Sequence, residues 1–253
     1  MKVTKPSLLP KTNHILMIFL SCALLACAAP TPSTQINDPD EALNRKMHKF
    51  NIFFDRSILR PIATSVVKPG GGPVSQGVTN FARNLSGPAD VLNNVLQLRL
   101  GKALENTLKF AINTTVGIGG IFDPATAIGV AGTDTDFGET LHVWGFGEGR
   151  YLEVPGVGPT TVRDISGDIV DLFISPLNFL LPQPESLLGT ATATASRVID
   201  RGRYVETVDS ILYESADSYA QARLLYLQNR RYSLGQTVDD TNSADPYEDP
   251  YAQ

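Results

Sequence analysis

Cysteine is nearly missing from this chain of 253 residues: there are two, Cys22 and Cys27, both near the N-terminus. Neither a disulfide framework nor a Cys-rich zinc site can therefore hold the body together. Histidine is almost as scarce, with three in all. Beyond the first 26 residues only His48 and His142 remain, neither with a partner at ligand spacing such as the i, i+4 pair of a zinc helix, and both read as structural. No Gly-x-Ser-x-Gly elbow occurs, which an α/β-hydrolase would need. Gly117, Gly119 and Gly120 do not form Gly-x-Gly-x-x-Gly, nor do Gly145, Gly147 and Gly149, and Gly101-Lys102 lacks the flanking residues of a P-loop. No catalytic residue and no nucleotide cofactor follow. Asp134 and Asp136 with Glu139 miss the spacing of a calcium loop, so they read as a solvated acidic turn and no metal is assigned. Charged residues are 19% and the formal charge is −5, which excludes a general nucleic-acid binder.

What is present begins with an address. Lys2, Lys5 and Lys11 precede the apolar run Ile15 to Leu20, and Leu24-Leu25-Ala26-Cys27 follows. Positive charge, a short apolar core and small residues make a secretory signal, too short for a spanning helix. The last four residues resemble a bacterial lipobox, which would make 1–26 the signal peptide and Cys27 the lipidated first residue; the alternatives are an ordinary secretory signal cut after a nearby Ala and an uncleaved anchor. Acyl chains would then tie the protein to a membrane, since each buried CH₂ contributes about 0.8 kcal/mol. Ala28 lacks the acid that favours inner-membrane retention in some bacteria, which points to the outer membrane. Residues 28–36, rich in Pro, Thr and Ser, complete a tether over 27–36.

The folded body is expected over 37–234 and mainly helical. Asp38-Pro39-Asp40-Glu41 reads as a helix start, with Asp38 as cap and Glu41 as capping-box acid. Leu43, Met47, Phe50, Phe54 and Ile58 recur at helical spacing, and Pro61 should stop or kink that helix. Lys68 to Pro73 reads as a loop and Ser86-Gly87-Pro88 as a break. Val74, Val78, Phe81 and Leu85 form one apolar face; Leu100, Leu104, Leu108 and Ile112 form another, ended by Gly117 to Gly120. The glycine-rich stretch 129–163 reads as a long irregular connection with a small hairpin. Helix should return near Asp164, then over 187–213 and 217–232. Residues 172–181 carry no charge, yet ten residues cannot cross a bilayer that needs about 20. The tail 235–253 has five acids and no base, the composition of disorder. Amphipathic helices of this kind can bury their apolar faces on one another, on lipid, or around a lipid-sized slot, and periodicity does not choose.

A set of local motifs covering about 37–231 resembles the MlaA (VacJ) family of outer-membrane lipoproteins. They include Asn37-Asp38-Pro39 with Glu41 and Asn44-Arg45, Phe50-Asn51, Asp55-Arg56 and Leu59-Arg60-Pro61. Gly77 to Phe81, Asn94 to Gln97, Phe110 to Gly117, Asp136 to Leu141, Gly158 to Asp164 and Tyr219 to Arg230 extend the set. Leu98 stands where the family usually has Gly, Lys109 where it has Arg, and Arg150 where it has Pro. These departures bear on local turns and on a partner contact. The resemblance implies a helical ring in the periplasmic leaflet of the outer membrane with a central amphipathic channel. It implies removal of phospholipids misplaced in the outer leaflet and delivery to the periplasmic carrier MlaC, beside a trimeric porin, with no bond broken. Phe50 and Asn51 would then serve the channel or its gate, and Gly145, Gly147 and Gly149 a hinged loop; the alternatives are helix packing with a cap or turn for Phe50-Asn51, and simple tight turns for the glycines. The competing expectations are an envelope scaffold that transports nothing and a lipid-degrading enzyme.

Overall fold

The computed structural model describes residues 36–68, 71–174 and 188–236. The signal peptide with Cys27, most of the tether, most of the uncharged stretch after Ile174 and the acidic tail lie outside the described residues.

Helix α1 (Glu41–Phe54) runs into a π turn (Asp55–Leu59) and then α2 (Arg60–Val66). Helices α3 (Pro73–Leu96) and α4 (Leu100–Thr115) form the long hairpin of the body, followed by the short α5 (Pro124–Ala127) and α6 (Phe137–Val143). Strands β1 (Tyr151–Val154) and β2 (Gly158–Thr161) pair antiparallel, with Tyr151 opposite Thr161. Then come α7 (Val162–Ile174), α8 (Leu188–Arg203), α9 (Val205–Asp209), a second π turn (Ser210–Glu214) and α10 (Ser218–Ser233).

Four expectations are corrected. The N-cap of α1 is Asp40, with no side-chain cap bond. Asp38 instead accepts hydrogen bonds from Asn44, Tyr219 and Arg223, and Glu41 pairs with Arg45, because tertiary partners outcompete the local cap. Pro61 does not stop the chain's helical course: the π turn just ahead absorbs the missing N–H and the ring, and the helix continues to Val66. Pro88 does not break α3 either. Gly87 before it lacks the Cβ that would meet the proline ring, and the side chain of Phe110 packs against the gap. Finally, the stretch 129–163 is less irregular than its glycines suggest, since it holds α6 as well as the expected hairpin. Asp136 starts α6 by accepting from the Glu139 N–H at 2.7 Å, a cap hidden among acidic neighbours.

Close packing of α6 on α7 depends on Gly167. A Cβ there would collide with the backbone of Gly138, so the two helices meet at their main chains.

Candidate functional site

Much of the apolar periodicity read from the sequence faces outward. Leu43, Phe50 and Ile58 along α1 and its π turn, Val74 at the start of α3, and Leu100, Leu104 and Leu108 on α4 are exposed, while Met47, Phe54, Val78, Phe81, Leu85 and Ile112 are half-buried. The opposite faces are polar and buried: Ser75, Thr79, Asn84, Asp90, Asn93 and Asn94 on α3, and Asn106 and Asn113 on α4 beside Ala103. A protein in water arranges its helices the other way round, because burying apolar surface is the main favourable contribution to folding. Apolar surface this extensive marks a body that meets another apolar phase. Among the described residues no helix is long and apolar enough to cross a membrane.

Many of the buried polar groups are joined in hydrogen-bonded networks. Between α1, the hairpin and α10, His48 Nδ1 lies 3.1 Å from Glu153 and Nε2 lies 3.2 Å from Ser218. Tyr151 donates to Glu153 at 2.6 Å. Ser218, His48 and Glu153 have the connectivity of a hydrolytic relay, but the imidazole is only 3% exposed and the edge of Tyr219 stands against it. What these contacts accomplish is to lash the hairpin between two helices. His142, the other histidine, is held below the usual imidazole range by burial and by Arg163.

Under α3, Asn93 donates to Asp171 at 2.9 Å and accepts from Thr140 at 2.9 Å, while Gln97 donates to Thr135 and Thr140. Asp90 accepts from the Thr135 N–H at 3.2 Å. Burial pushes its carboxyl up to about 8, and the nearby carboxylates of Asp134, Asp171 and Asp136 act the same way. Across α6, α7 and α10, Arg230 binds both Asp136 and Asp164, at 2.7 and 3.0 Å. Burial alone would raise Asp164, but Arg230 and Arg163 hold it below the ordinary carboxylate range. Asp136 and Glu139 are therefore committed to Arg230 and Arg99 rather than forming a solvated turn.

Between α3 and α4 opens a small polar cleft lined by Arg83, Asn84, Asp90, Asn106 and Lys109. Asn84 Oδ1 is buried there without a hydrogen-bond donor, as are Thr79 Oγ1 and Asn94 Oδ1 along the same helix. A second cleft is apolar and lies between α2, the start of α3 and α8. Together they offer the two environments that an amphiphile needs.

The residues singled out from the sequence are not gathered at one point. The Phe50 ring is exposed on the outer face of α1. Asn51 donates to Glu153 at 3.0 Å and to the Val154 carbonyl at 3.1 Å, and accepts from the Gly156 N–H at 2.8 Å, so it holds the hairpin. Gly145, Gly147 and Gly149 belong to the loop from α6 to β1. Gly145 and Gly149 have φ of +90° and +75°. The loop is tied at Glu148, which pairs with Arg231 at 2.5 Å, and at Gly149, whose carbonyl accepts from Asn37. The inward asparagines carry no mark in the apolar periodicity. Their signal is the spacing: Asn106 and Asn113 lie seven apart, on one face of α4.

Residues 36–233 match the family model described as MlaA lipoprotein. The chain is 31% identical over 235 residues to the intermembrane phospholipid transport system lipoprotein MlaA of Escherichia coli, covering 91% of this chain and 90% of that one. It is 32% identical over 201 residues to an uncharacterized protein of Rickettsia bellii, covering 79% and 78%. The structure superposes with a TM-score of 0.66 and 29% identity on a chain solved in a study of the structural basis for maintenance of bacterial outer membrane lipid asymmetry. That match covers 78% of this chain and 98% of the other.

Proposed function

The chain belongs to the MlaA lipoprotein family, and on that premise we propose that it maintains outer-membrane lipid asymmetry. It takes phospholipids misplaced in the outer leaflet and passes them, unbroken, to a periplasmic carrier of the MlaC type, working beside a trimeric porin. Lipidated Cys27 anchors it to the periplasmic leaflet. The observation that carries this reading is the outward leucine stripe of α4 together with the inward asparagines of α3 and α4. A body built this way seats its outer face among acyl chains and offers a polar interior to a head group. Movement of a lipid down its own gradient needs neither a nucleophile nor a nucleotide at this component.

In this proposal Phe50 touches the lipid phase and Asn51 sets the position of the hairpin beside it. The loop of Gly145, Gly147 and Gly149 is the part that moves between open and closed channel, because positive φ at two of them gives the backbone turns that other residues resist.

Reconstitution with labelled phospholipid, a porin and an acceptor carrier tests the reading directly. Transfer of intact lipid without nucleotide is the expected result. Lysophospholipid in the products would sink it in favour of an enzyme, and tight porin binding without transfer would leave a scaffold. Intact-mass measurement should show loss of 1–26 and a gain equal to acyl chains, abolished by Cys27→Ala.

A further inference from the structure

We propose that the apolar cleft between α2, the start of α3 and α8 seats one acyl chain of a diacyl phospholipid, with the lipid phosphate on Lys68. The proposal rests on the phospholipid-handling reading above and names where in the molecule the lipid is gripped.

The cleft has a volume of about 620 Å³, within the range of about 300–1,000 Å³ common for small-molecule sites. Its walls are aliphatic: Val67, Val74, Val78, Ala195, Val198 and Ile199. Val67 and Ile199 are buried at its floor, while Val74 is 82% exposed at its open side. Small and β-branched side chains leave a smooth trough, and no aromatic ring lines it. The hydroxyl of Ser75 is already used, donating to the Gly72 carbonyl and accepting from the Gly72 N–H, both at 2.8 Å. The Ser75 hydroxyl is therefore not free to bind a ligand.

Charge lies only at one end. Lys68 lines the mouth, is exposed, and pairs with no carboxylate among the described residues. Arg203 reaches the same spot from α8: its Nε stands 3.1 Å from where a Cβ on Gly71 would be, and its one carboxylate partner among the described residues is Asp200 at 3.3 Å. Two cations at the mouth of an aliphatic trough match the charge order of a molecule with an anionic phosphodiester and a hydrocarbon tail. The face of a second copy of this chain would instead need a complementary apolar ridge with an acid set against Lys68.

Native mass spectrometry of the full lipoprotein, extracted in mild detergent and supplied with a phosphatidylethanolamine of defined chains, decides the matter. The wild type should retain one lipid through detergent exchange. Val198→Trp, which fills the trough, should lower that occupancy at least tenfold. Lys68→Glu should lower it severalfold, and Lys68→Arg should preserve it. Leu104→Trp, on the outer face, should leave it unchanged.

Retention by Val198→Trp equal to wild type overturns the proposal. So does equal loss in Leu104→Trp, which would mean unspecific annular lipid. A two-chain complex abolished by Lys68→Glu overturns it in favour of a dimer. Should Val198→Trp fail to melt cooperatively, the exposed Lys68→Glu decides alone. Transfer by Val198→Trp at the wild-type rate, with lipid retained, would remove the cleft and keep the transport reading. One lipid lost on Val198→Trp from a wild type that transfers none would do the reverse.

Discussion

The guanidinium of Arg201 closes on both carboxylate oxygens of Asp55, each at 2.8 Å, joining the end of α8 to the first residue of the π turn after α1. Both side chains are more than nine-tenths buried. The same arginine reaches Asp209 at 2.6 Å, which Arg60 also holds, and Tyr213 donates to Asp55 at 2.5 Å. Two π turns far apart in the chain are thus clasped by one cluster of charges. Asp55 opens the first π turn and Asp209 immediately precedes the second, so each turn brings an acid to the shared arginine.

Removing the arginine should therefore be costly. Arg201→Met leaves Asp55 buried without its cation, and a loss of about 3–5 kcal/mol is expected. Lysine should rescue only part of it, because an ammonium lacks the planar fork that meets Asp55 with two parallel bonds while reaching Asp209. Denaturant unfolding in detergent checks this; a loss under about 1 kcal/mol would show that water reaches the cluster.

Leu98 provides a gain. It lies between α3 and α4 with φ of +59° and is 85% exposed. A left-handed backbone costs an ordinary residue about 1–2 kcal/mol, and no packing offsets it here. Leu98→Gly should raise the melting temperature, with a stabilisation of about 1 kcal/mol after the added freedom of the unfolded chain is counted. An unchanged melt would mean that the outward leucine is held by lipid or detergent.

Asp90 makes stability depend on pH. Its folded pKa is about 8, against 3.8 for the free side chain. The folded state binds the proton more tightly, so the stabilisation is fully present below about pH 4 and declines as pH rises, until it is lost above about pH 8. Asp90→Asn should flatten the melting temperature between those limits. A wild type that grows more stable from pH 5 to 8, with the Asp90→Asn variant following it, would contradict the burial of a neutral acid.

Asn51→Ala should loosen the hairpin. Three hydrogen bonds go at once, and a loss of about 1–3 kcal/mol is expected. Hydrogen exchange at residues 151–161 should speed up while α3 and α4 stay protected. Normal exchange with an altered lipid-transfer rate would instead assign Asn51 to gating alone.

Neighbouring positions on α4 should behave as opposites. Leu104→Asp places a carboxylate on the outer face, which should leave the protein folded in detergent but weaken its flotation with liposomes. Ala103→Asp buries the charge between helices, at a cost of several kcal/mol, and should unfold it. Equal behaviour of the two would contradict the outward orientation of the leucine stripe.

Most helices, the hairpin and the family are legible in the amino-acid order. Those depend on local chemistry: the 3.6-residue period of leucines and phenylalanines, the glycine turns and the ordered motifs. Which side of each helix is inside is not legible there. A stripe of Leu100, Leu104 and Leu108 has the same period whether it faces a core or a bilayer, and only the packing of α3 and α4 against each other and against the segments around them turns the asparagines inward. The prolines mislead for a related reason. Pro61 and Pro88 break an isolated helix, whereas a π turn and the glycine at 87 beside Phe110 accommodate them here. The long-range contacts of Arg201 with Asp55, and of Asn51 with the hairpin, join residues more than a hundred positions apart. No local pattern encodes such a pair, because the free energy that selects it exists only once the intervening helices have packed.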